Sequence, residues 1–180
     1  MVKLIQLARK ASTIPGAGDG LFANEFIKQG ATVCTYNGVN IDKDEVVDMY
    51  MIDPEGYLSN IHPYVRDFNS QQVVVGVPSA DLFKSGVMVN DGAKPKGVSH
   101  DLLKAYLDES HSRANVAAIS PESSESIESI ENIEGIDSGP LAYQATRDIN
   151  SGEELFACYG VGYWLMHMGI TPDKLRGYMI

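Results

Sequence analysis

The sequence predicts a mainly β domain with short helices, of the α+β class. Short runs rich in β-branched and aromatic residues alternate with turn residues, a spacing typical of small sheets. Helical patterns are few and short. With 180 residues and 44% apolar content, the chain can bury a core and suits a single domain over residues 1–180. The strands are predicted at residues 21–23, 32–36, 71–77, 86–89, 115–119, 141–145 and 154–158.

Each of the three predicted helices begins at a recognisable start signal. Asp42 stands at the N-cap of the first, with Glu45 three residues further on in a capping-box-like pair. Ser99 caps the second, in which leucines and a tyrosine form one apolar stripe. Pro172 opens the third, since proline is tolerated in the first turn of a helix. The helices are predicted at residues 42–51 and 101–109 and from residue 171 onward.

Residues 120–139 form an acidic, low-complexity insertion within this domain. Isoleucine recurs there every three residues, which fits neither a strand nor an α-helix, so the pattern predicts an irregular segment between two strands. Six acidic residues and no Lys or Arg lie in it, against a net charge of −10 for the whole chain. The insertion is either a solvated loop or a surface for a basic partner, and the sequence leaves both interpretations open.

The composition excludes several classes of function. The net charge of −10 argues against direct nucleic-acid binding, since phosphate contacts need a basic surface, and it favours a basic protein or peptide as partner. Cys34 and Cys158 are too few for a disulfide framework or a zinc cluster, and the four histidines show no ligand spacing, so we predict no metal site. No apolar run reaches the length of a membrane span. We therefore expect an intracellular protein, nuclear or cytoplasmic.

Four short motifs stand out along the chain. The glycines of the first allow positive φ and a close approach of the backbone to a ligand. No βαβ unit follows them, which argues against a dinucleotide fingerprint. Alone, each motif is compatible with an ordinary turn or hairpin. The motifs are Gly18-Asp19-Gly20-Leu21-Phe22-Ala23, Tyr36-Asn37-Gly38, Asn90-Asp91, and the segment of residues 147–160 that contains Gly152-Glu153-Glu154-Leu155 and ends at Tyr159-Gly160.

In this order the four motifs resemble the signature of the SET-domain protein-lysine methyltransferases, over about residues 11–164. The resemblance implies a SET-type β-clip whose C-terminal tail threads under the loop of Asn90, a pseudoknot that joins Asn90 and Tyr159 at one site. It also implies an enzyme with S-adenosyl-L-methionine as cofactor. The implied substrate is a basic protein or peptide that carries a lysine, with histone tails as one candidate.

The resemblance assigns roles to individual residues. Tyr159 takes the place of the catalytic tyrosine that orients the lysine amine beside the cofactor. The Tyr36 hydroxyl is expected next to the cofactor or the lysine channel, and an ordinary buried tyrosine is the alternative. Trp164 is either a wall of the site or part of the core. The implied catalytic residues are Tyr159 and Tyr36, and the implied cofactor-binding residues are Gly18, Asp19, Gly20, Leu21, Asn90, Asp91 and Tyr159.

Three features depart from the pattern of that family. Asp91 stands where a histidine usually follows the asparagine, the best counterpart of the family's Pro-Asn pair is Ala114-Asn115 far downstream, and no cysteine-rich segment follows Gly160. These departures motivate an alternative, a SET-like protein-binding module without catalysis, and an unrelated β-rich domain is a third interpretation. The target lysine, the number of methyl groups added and the oligomeric state stay open.

Overall fold

A computed structural model describes residues 4–68, 70–119 and 141–170, which form four small sheets and several short helices. This architecture agrees with the predicted mainly β class. The strands are β1 Leu7–Ala11, β2 Asp19–Ala23, β3 Thr32–Thr35, β4 Gly38–Asp42, β5 Val65–Asp67, β6 Gln72–Gly76, β7 Asn90–Asp91, β8 Val116–Ile119, β9 Ala142–Ala145 and β10 Phe156–Ala157.

Three of the sheets are antiparallel. β1 pairs with β2, β9 lies between β3 and β8, and β6 lies between β4 and β5. The fourth sheet joins β7 and β10 in parallel, with Asn90 opposite Phe156 and Asp91 opposite Ala157. This parallel pair sets the Asn90 segment beside the C-terminal strand, as threading of the tail requires. The pseudoknot itself stays a prediction.

The helical elements are short, and most lie between the strands of the sheets. Two of the predicted helices are present as α1 and α3. The helix predicted from residue 171 and the insertion at residues 120–139 lie outside the described residues. The helices are α1 Lys43–Ile52, α2 Pro54–Gly56, α3 His100–Arg113 and α4 Gly160–His167, with a π-helical turn at Tyr57–Ile61 and 3-10 turns at His62–Tyr64, Leu82–Lys84 and Gly86–Met88.

The side-chain caps predicted for α1 and α3 are wrong. Asp42 and Ser99 do occupy the N-cap positions, but neither side chain accepts a hydrogen bond from its helix. The Asp42 carboxylate instead accepts a hydrogen bond from Gln72 Nε2 at 3.0 Å, across the β4–β6 pair. Asp42 is both the last residue of β4 and the residue before α1, so the strand partner competes with the helix for its side chain.

The strand predicted at residues 86–89 is also wrong, because Gly86–Met88 forms a 3-10 turn. The Gly86 backbone packs against β3 so closely that an added Cβ would lie 2.9 Å from the Thr35 carbonyl oxygen. The tight turn brings the Gly86 backbone this close to β3. Strands β1, β4 and β5 and the helical turns of residues 54–64 were not predicted, since these segments are largely exposed or half-buried and lack a clean alternation of polar and apolar residues.

The main core lies between the small sheets. Leu21, Val33, Val89, Ile149 and Leu155 are all fully buried members of it. Burial of an aliphatic side chain of this size contributes about 1.5–3 kcal/mol. Several of these residues adjoin the sequence motifs directly, so the core fixes the backbone of the glycine motif, of Asn90-Asp91 and of the C-terminal motif.

A smaller cluster lies beside the main core. Trp164 of α4 packs there with Tyr106 of α3 and with Ala93. Trp164 and Tyr106 meet edge to face, with ring centroids 6.3 Å apart. The cluster attaches α3 and α4 to each other near the end of β7. Across the described residues, no helix has the length and apolar character needed to cross a membrane.

Candidate functional site

The glycine motif and the C-terminal motif lie side by side, although they come from opposite ends of the chain. Leu155 N donates to Leu21 O at 2.8 Å, and Ala23 N donates to Glu153 O at 2.9 Å. An isolated antiparallel bridge pairs Phe22 with Glu154. Main-chain hydrogen bonds therefore join the two segments whose combination suggested the family.

Glu154 holds the loop that precedes β2. Its Oε1 accepts from Ser12 Oγ at 2.6 Å and from Asn90 Nδ2 at 3.2 Å, and its Oε2 accepts from Thr13 N and Thr13 Oγ1, both at 2.7 Å. The carboxylate lies so close to Gly20 that a Cβ at this position would overlap it. The second glycine of the motif is therefore required by a packed carboxylate, whatever it contributes to a ligand.

Two asparagine amides complete the connections between these segments. Asn90 Nδ2 donates to Asp19 O at 3.1 Å, which ties β7 to the start of β2. Asn115, which is fully buried, donates from Nδ2 to Glu154 O at 2.8 Å and accepts at Oδ1 from Phe156 N at 2.8 Å. Because Asn115 satisfies main-chain groups on both sides of Leu155, it fixes the entry into β10.

Asp91 is a buried carboxylate whose hydrogen-bond donors among the described residues are all neutral groups. Its Oδ2 accepts from Tyr106 Oη at 2.5 Å, from Trp164 Nε1 at 2.9 Å and from Tyr159 N at 3.1 Å. Its Oδ1 accepts from Ser110 Oγ and from the main-chain N–H two residues further on. These donors offset the loss of hydration that burial of the carboxylate entails. Asp91 thereby attaches α3 and α4 to β7.

Tyr159 stands next to Asp91 at the start of α4. Its hydroxyl donates to Val89 O at 2.7 Å. Its ring lies against the Tyr163 ring, with centroids 4.7 Å apart at 74°. Burial raises the pKa of the Tyr159 hydroxyl, against the opposing effect of the Arg66 cation. The side chain therefore remains a neutral phenol at physiological pH.

Two cavities within the described residues share Tyr159 and Tyr163 in their walls. The first, which we term the glycine-loop cavity, has a volume of about 440 Å³. The second, the α1 cavity, has a volume of about 340 Å³ and mostly apolar walls. The glycine-loop cavity is lined by residues that include Gly16, Ala17, Asp19, Asn90, Asp91, Lys94 and Trp164, and the α1 cavity by residues that include Val46, Tyr50, Tyr57, His62, Arg66 and Met166.

Arg66 of β5 lines the α1 cavity and lies against the Tyr159 ring. Its guanidinium carbon is 3.7 Å from the centroid of the Tyr159 ring, 5.1 Å from that of Tyr163 and 5.7 Å from that of Tyr36. A desolvated contact between a cation and an aromatic face is worth about 2 kcal/mol. Nη1 donates to Val65 O at 2.7 Å, whereas the buried Nε has no hydrogen-bond partner among the described residues.

The predicted site residues fall into two groups. Asp19, Asn90, Asp91 and Tyr159 all line the glycine-loop cavity. The others do not line it. Gly18 adopts φ +74° within the loop, Gly20 faces the Glu154 carboxylate, and Leu21 is a fully buried core residue. Tyr36 is buried, and its hydroxyl donates to Tyr64 O at 2.7 Å. Trp164 is both part of the smaller cluster and a wall of the cavity.

Sequence reasoning missed three contributors to this region. Arg66 belongs to a segment without a recognisable motif, so nothing in the pattern marked it. Glu154 looked like an exposed acidic residue of a hairpin, although the apolar strand residues that follow it directly were a signal for burial. Tyr163 lies on α4, which was not predicted.

In the described part of the chain, no group of three His, Cys, Asp or Glu side chains is arranged to hold a metal ion.

The sequence model of the SET domain matches residues 18–160 of this chain. That range is most of the chain and runs from the glycine motif to the residue after Tyr159. The chain belongs to the SET-domain family. The fold described above and the order of the motifs agree with this assignment, so both the family and the SET-type fold predicted from the sequence are confirmed.

Solved structures give the same fold. A crystal structure of the Chaetomium thermophilum polycomb repressive complex 2 matches with a TM-score of 0.54 and 19% identity, over 88% of this chain and 16% of that chain. An active polycomb repressive complex 2 in the stimulated state matches with a TM-score of 0.54 and 20% identity, over 88% and 15%. At this identity the likeness shows the fold alone, and this chain spans less than a fifth of those chains' length. No curated protein matches the chain.

Proposed function

We propose that this protein is an S-adenosylmethionine-dependent protein-lysine N-methyltransferase. The observation that carries the proposal is that Tyr159 lines both cavities. One is walled by the glycine loop and by Asn90, and the other by α1 and α4. Transfer of a group from a small cofactor to a protein side chain needs two entrances to one reacting centre, because the two reactants must approach each other from different sides.

The glycine-loop cavity supports the cofactor part of this proposal. Its volume lies within the range of small-molecule sites. Gly16 and Gly18, both at φ +74°, have open space where a side chain would stand, so a ligand can approach the backbone closely. Asp19, Asn90 and Lys94 offer polar groups of both charges, which suits an amino-acid zwitterion. When bound, S-adenosylmethionine supplies a methyl group activated by a positively charged sulfur.

Tyr159 is the residue proposed to orient the lysine amine. Because its hydroxyl already donates to Val89 O, the oxygen retains lone pairs that can accept a hydrogen bond from an amine. The amine must be neutral to react, and at pH 7 neutralising a lysine of pKa 10.4 costs about 4–5 kcal/mol. The apolar walls of the α1 cavity lower the pKa of such an amine by desolvation. The protein's contribution is therefore mainly positioning, and we assign no general base.

The substrate class follows from charge and from the family. A chain of net charge −10 attracts basic partners, so we propose a basic protein or peptide that carries a lysine. Histone tails are one such substrate, and the relatives in structure belong to polycomb repressive complex 2. A nuclear or cytoplasmic location accords with this substrate class. Tyr36, whose hydroxyl is held by Tyr64 O, is proposed to shape the channel from behind Arg66.

A SET-like protein-binding module without catalysis is the second candidate. The observation that favours it is Asp91, since this carboxylate accepts five hydrogen bonds from the protein itself and has become part of the scaffold. A module of this kind would retain the fold and the α1 cavity. It would differ from the enzyme in lacking turnover, and Tyr159 would then have no role in chemistry.

Calorimetric titration with S-adenosylmethionine tests the cofactor site first. We expect saturable binding that is lost in the Gly18→Val, Asn90→Ala double variant, since valine is strained at φ +74° and alanine removes the amide contact to Asp19 O. Gly30→Val is the matched control, because Gly30 has φ +83° in a turn outside both cavities. Absence of binding by the wild type would favour the non-catalytic module.

The role of Tyr159 is tested with the Tyr159→Phe variant on a set of lysine peptides. We expect cofactor affinity to be retained and methyl transfer to fall by roughly 100-fold, the usual effect of removing one positioned hydrogen-bonding group from a reacting centre. Mass spectrometry of the peptides measures the product. If the variant methylates a peptide as fast as the wild type, the assignment of Tyr159 is wrong.

A further inference from the structure

Arg66 is a cation that lines the α1 cavity within a cage of tyrosine rings, two of which also line the glycine-loop cavity. Its guanidinium carbon lies 3.7 Å from the Tyr159 centroid, and the rings of Tyr163 and Tyr36 are 5.1 Å and 5.7 Å away. The negative faces of aromatic rings attract any cation that can reach them, whether it belongs to arginine or to lysine. Arg66 and a lysine ammonium are therefore competitors for the same place.

The contacts that hold Arg66 there are of a kind that a substrate can replace. The ion pairs described in the structure involve other basic residues, and none joins Arg66 to a carboxylate within the described residues. Its buried Nε has no acceptor among those residues. A permanently structural buried arginine normally pairs with a carboxylate and satisfies its donors, because an uncompensated buried charge is costly.

We propose that Arg66 occupies the place of the substrate's amine, so that the protein in this conformation is self-blocked and a lysine must displace the guanidinium before methyl transfer. This inference rests on the proposed function, because it takes Tyr159 as the residue that faces the amine. The backbone of Arg66 lies in β5, and Arg66 lines the α1 cavity together with its neighbours Val65 and Asp67. The side chain can therefore leave through that cavity by rotation of its own bonds, without rearrangement of the strand.

The first experiment measures the binding of an isolated amine rather than turnover. The probe is Nα-acetyl-lysine methylamide, titrated into the wild type and into Arg66→Met, which keeps an unbranched apolar chain but removes the charge. We expect the variant to bind the probe at least tenfold more tightly. Arg147→Met is the matched control, since Arg147 pairs with Glu153 on a turn outside both cavities, and we expect it to bind the probe as the wild type does.

The outcomes separate this inference from the proposed function. Titration of the same proteins with S-adenosylmethionine reports on the cofactor site independently of the amine. If both proteins bind S-adenosylmethionine but Arg66→Met binds the probe no better than the wild type, Arg66 is a fixed wall of the channel and the inference is overturned while the proposed function stands. Failure of every protein to bind the probe overturns the inference as well.

A second measurement uses the wild type alone and so does not depend on the folding of the variant. The Nε–H proton of Arg66 lies among tyrosine faces, so its NMR signal is shifted by ring currents away from the signals of the exposed arginines. The signal is assigned by its disappearance in Arg66→Lys. We expect the probe to move it towards the position of the Arg147 signal. Binding of the probe without any movement of this signal would overturn the inference.

Discussion

Asp91 and Glu154 are two buried carboxylates that organise different halves of the site. Their side chains are about equally buried, at 4% and 5% exposure. Neither forms an ion pair within the described residues, and both are held by hydroxyl and amide donors. Glu154 binds the loop before β2, whereas Asp91 binds α3 and α4. Two carboxylates in similar buried environments therefore hold different parts of the protein, the loop before β2 and the helices α3 and α4.

The difference between them lies in how each relates to the family pattern. Glu154 belongs to the Gly-Glu-Glu-Leu motif and tightens the glycine loop that the proposed cofactor would contact. Asp91 replaces the usual histidine, and its donors Tyr106, Ser110 and Trp164 all come from helices α3 and α4. The departure at this position and the long α3 segment are thus one feature, because a carboxylate can collect donors that a histidine ring would not accept together.

Removing the Asp91 carboxylate is expected to have the largest effect. Asp91→Ala leaves the Tyr106 hydroxyl, the Ser110 hydroxyl and the Trp164 indole N–H buried without an acceptor. Each orphaned donor is costly, so we expect the free energy of unfolding to fall by about 3–5 kcal/mol. Urea denaturation followed by tryptophan fluorescence measures this, because Trp164 is the single tryptophan of the chain.

Asp91→Asn is the control that separates the loss of an acceptor oxygen from the loss of side-chain volume. It keeps the side-chain volume but replaces one acceptor oxygen by a donor, so we expect a loss smaller than that of Asp91→Ala. A change of less than 1 kcal/mol in Asp91→Ala would contradict the view that Asp91 anchors both helices.

Glu154→Gln tests the other half of the comparison. The amide cannot accept from Ser12, Thr13 and Asn90 together, so we expect a loss of about 1–3 kcal/mol in unfolding free energy. The affinity for S-adenosylmethionine should fall more than in Asp91→Asn, since Glu154 holds the loop that lines the cavity. Calorimetric titration of Glu154→Gln and Asp91→Asn with S-adenosylmethionine measures the ratio of the two affinities.

The neighbouring Glu153→Gln is the matched control for Glu154→Gln. Its carboxylate pairs with Arg147 in a largely exposed position, so its loss should change stability by less than about 1 kcal/mol. Equal effects of Glu153→Gln and Glu154→Gln on cofactor affinity would contradict the role assigned to Glu154.

The same two carboxylates show how far the sequence predicts the molecule. The order of the four motifs was sufficient for the family, and short runs of β-branched and aromatic residues between turn residues located most core strands, because both signals are local. The connections made by Asp91 depend on donors 15, 19 and 73 residues away. No local pattern encodes such separations, so the set of hydrogen bonds to Asp91 could not be predicted from the sequence.

The segment between β4 and β6 was harder to predict than the C-terminal motif. α1 has no buried residue, and apart from Tyr57 and His62 its neighbouring turns are half-buried or exposed, so hydrophobic periodicity gives little signal there. Arg66 lies in this segment, and its partners come from two other parts of the chain, Tyr36 after β3 and both Tyr159 and Tyr163 at α4. The α1 cavity therefore depends on contacts between residues far apart in the sequence, whereas sequence motifs predict the glycine-loop side of the site.

His62 extends the comparison to a third buried titratable group. Unlike the two carboxylates, it is not surrounded by several hydrogen-bond partners among the described residues. It lines the α1 cavity, stacks on Tyr163 with centroids 4.9 Å apart, and its buried Nδ1 has no hydrogen-bond partner among the described residues. Burial lowers its pKa from 6.5 to about 4, and the nearby His167 and Arg66 act in the same direction. The folded protein thus resists protonation that the unfolded chain accepts.

Stability is therefore expected to be complete above pH 6.5 and to decline as the pH falls towards 4, since in this window the unfolded state binds more protons. Between pH 7 and pH 5 the decline from His62 amounts to about 2 kcal/mol. His62→Phe keeps a stacked ring without a titrating group, so its unfolding free energy should fall less over this range in urea titrations. Parallel curves for the two proteins would mean that His62 is protonated as readily in the folded state as in the unfolded one, and that a buried group can remain ionisable here without the donors that Asp91 and Glu154 require.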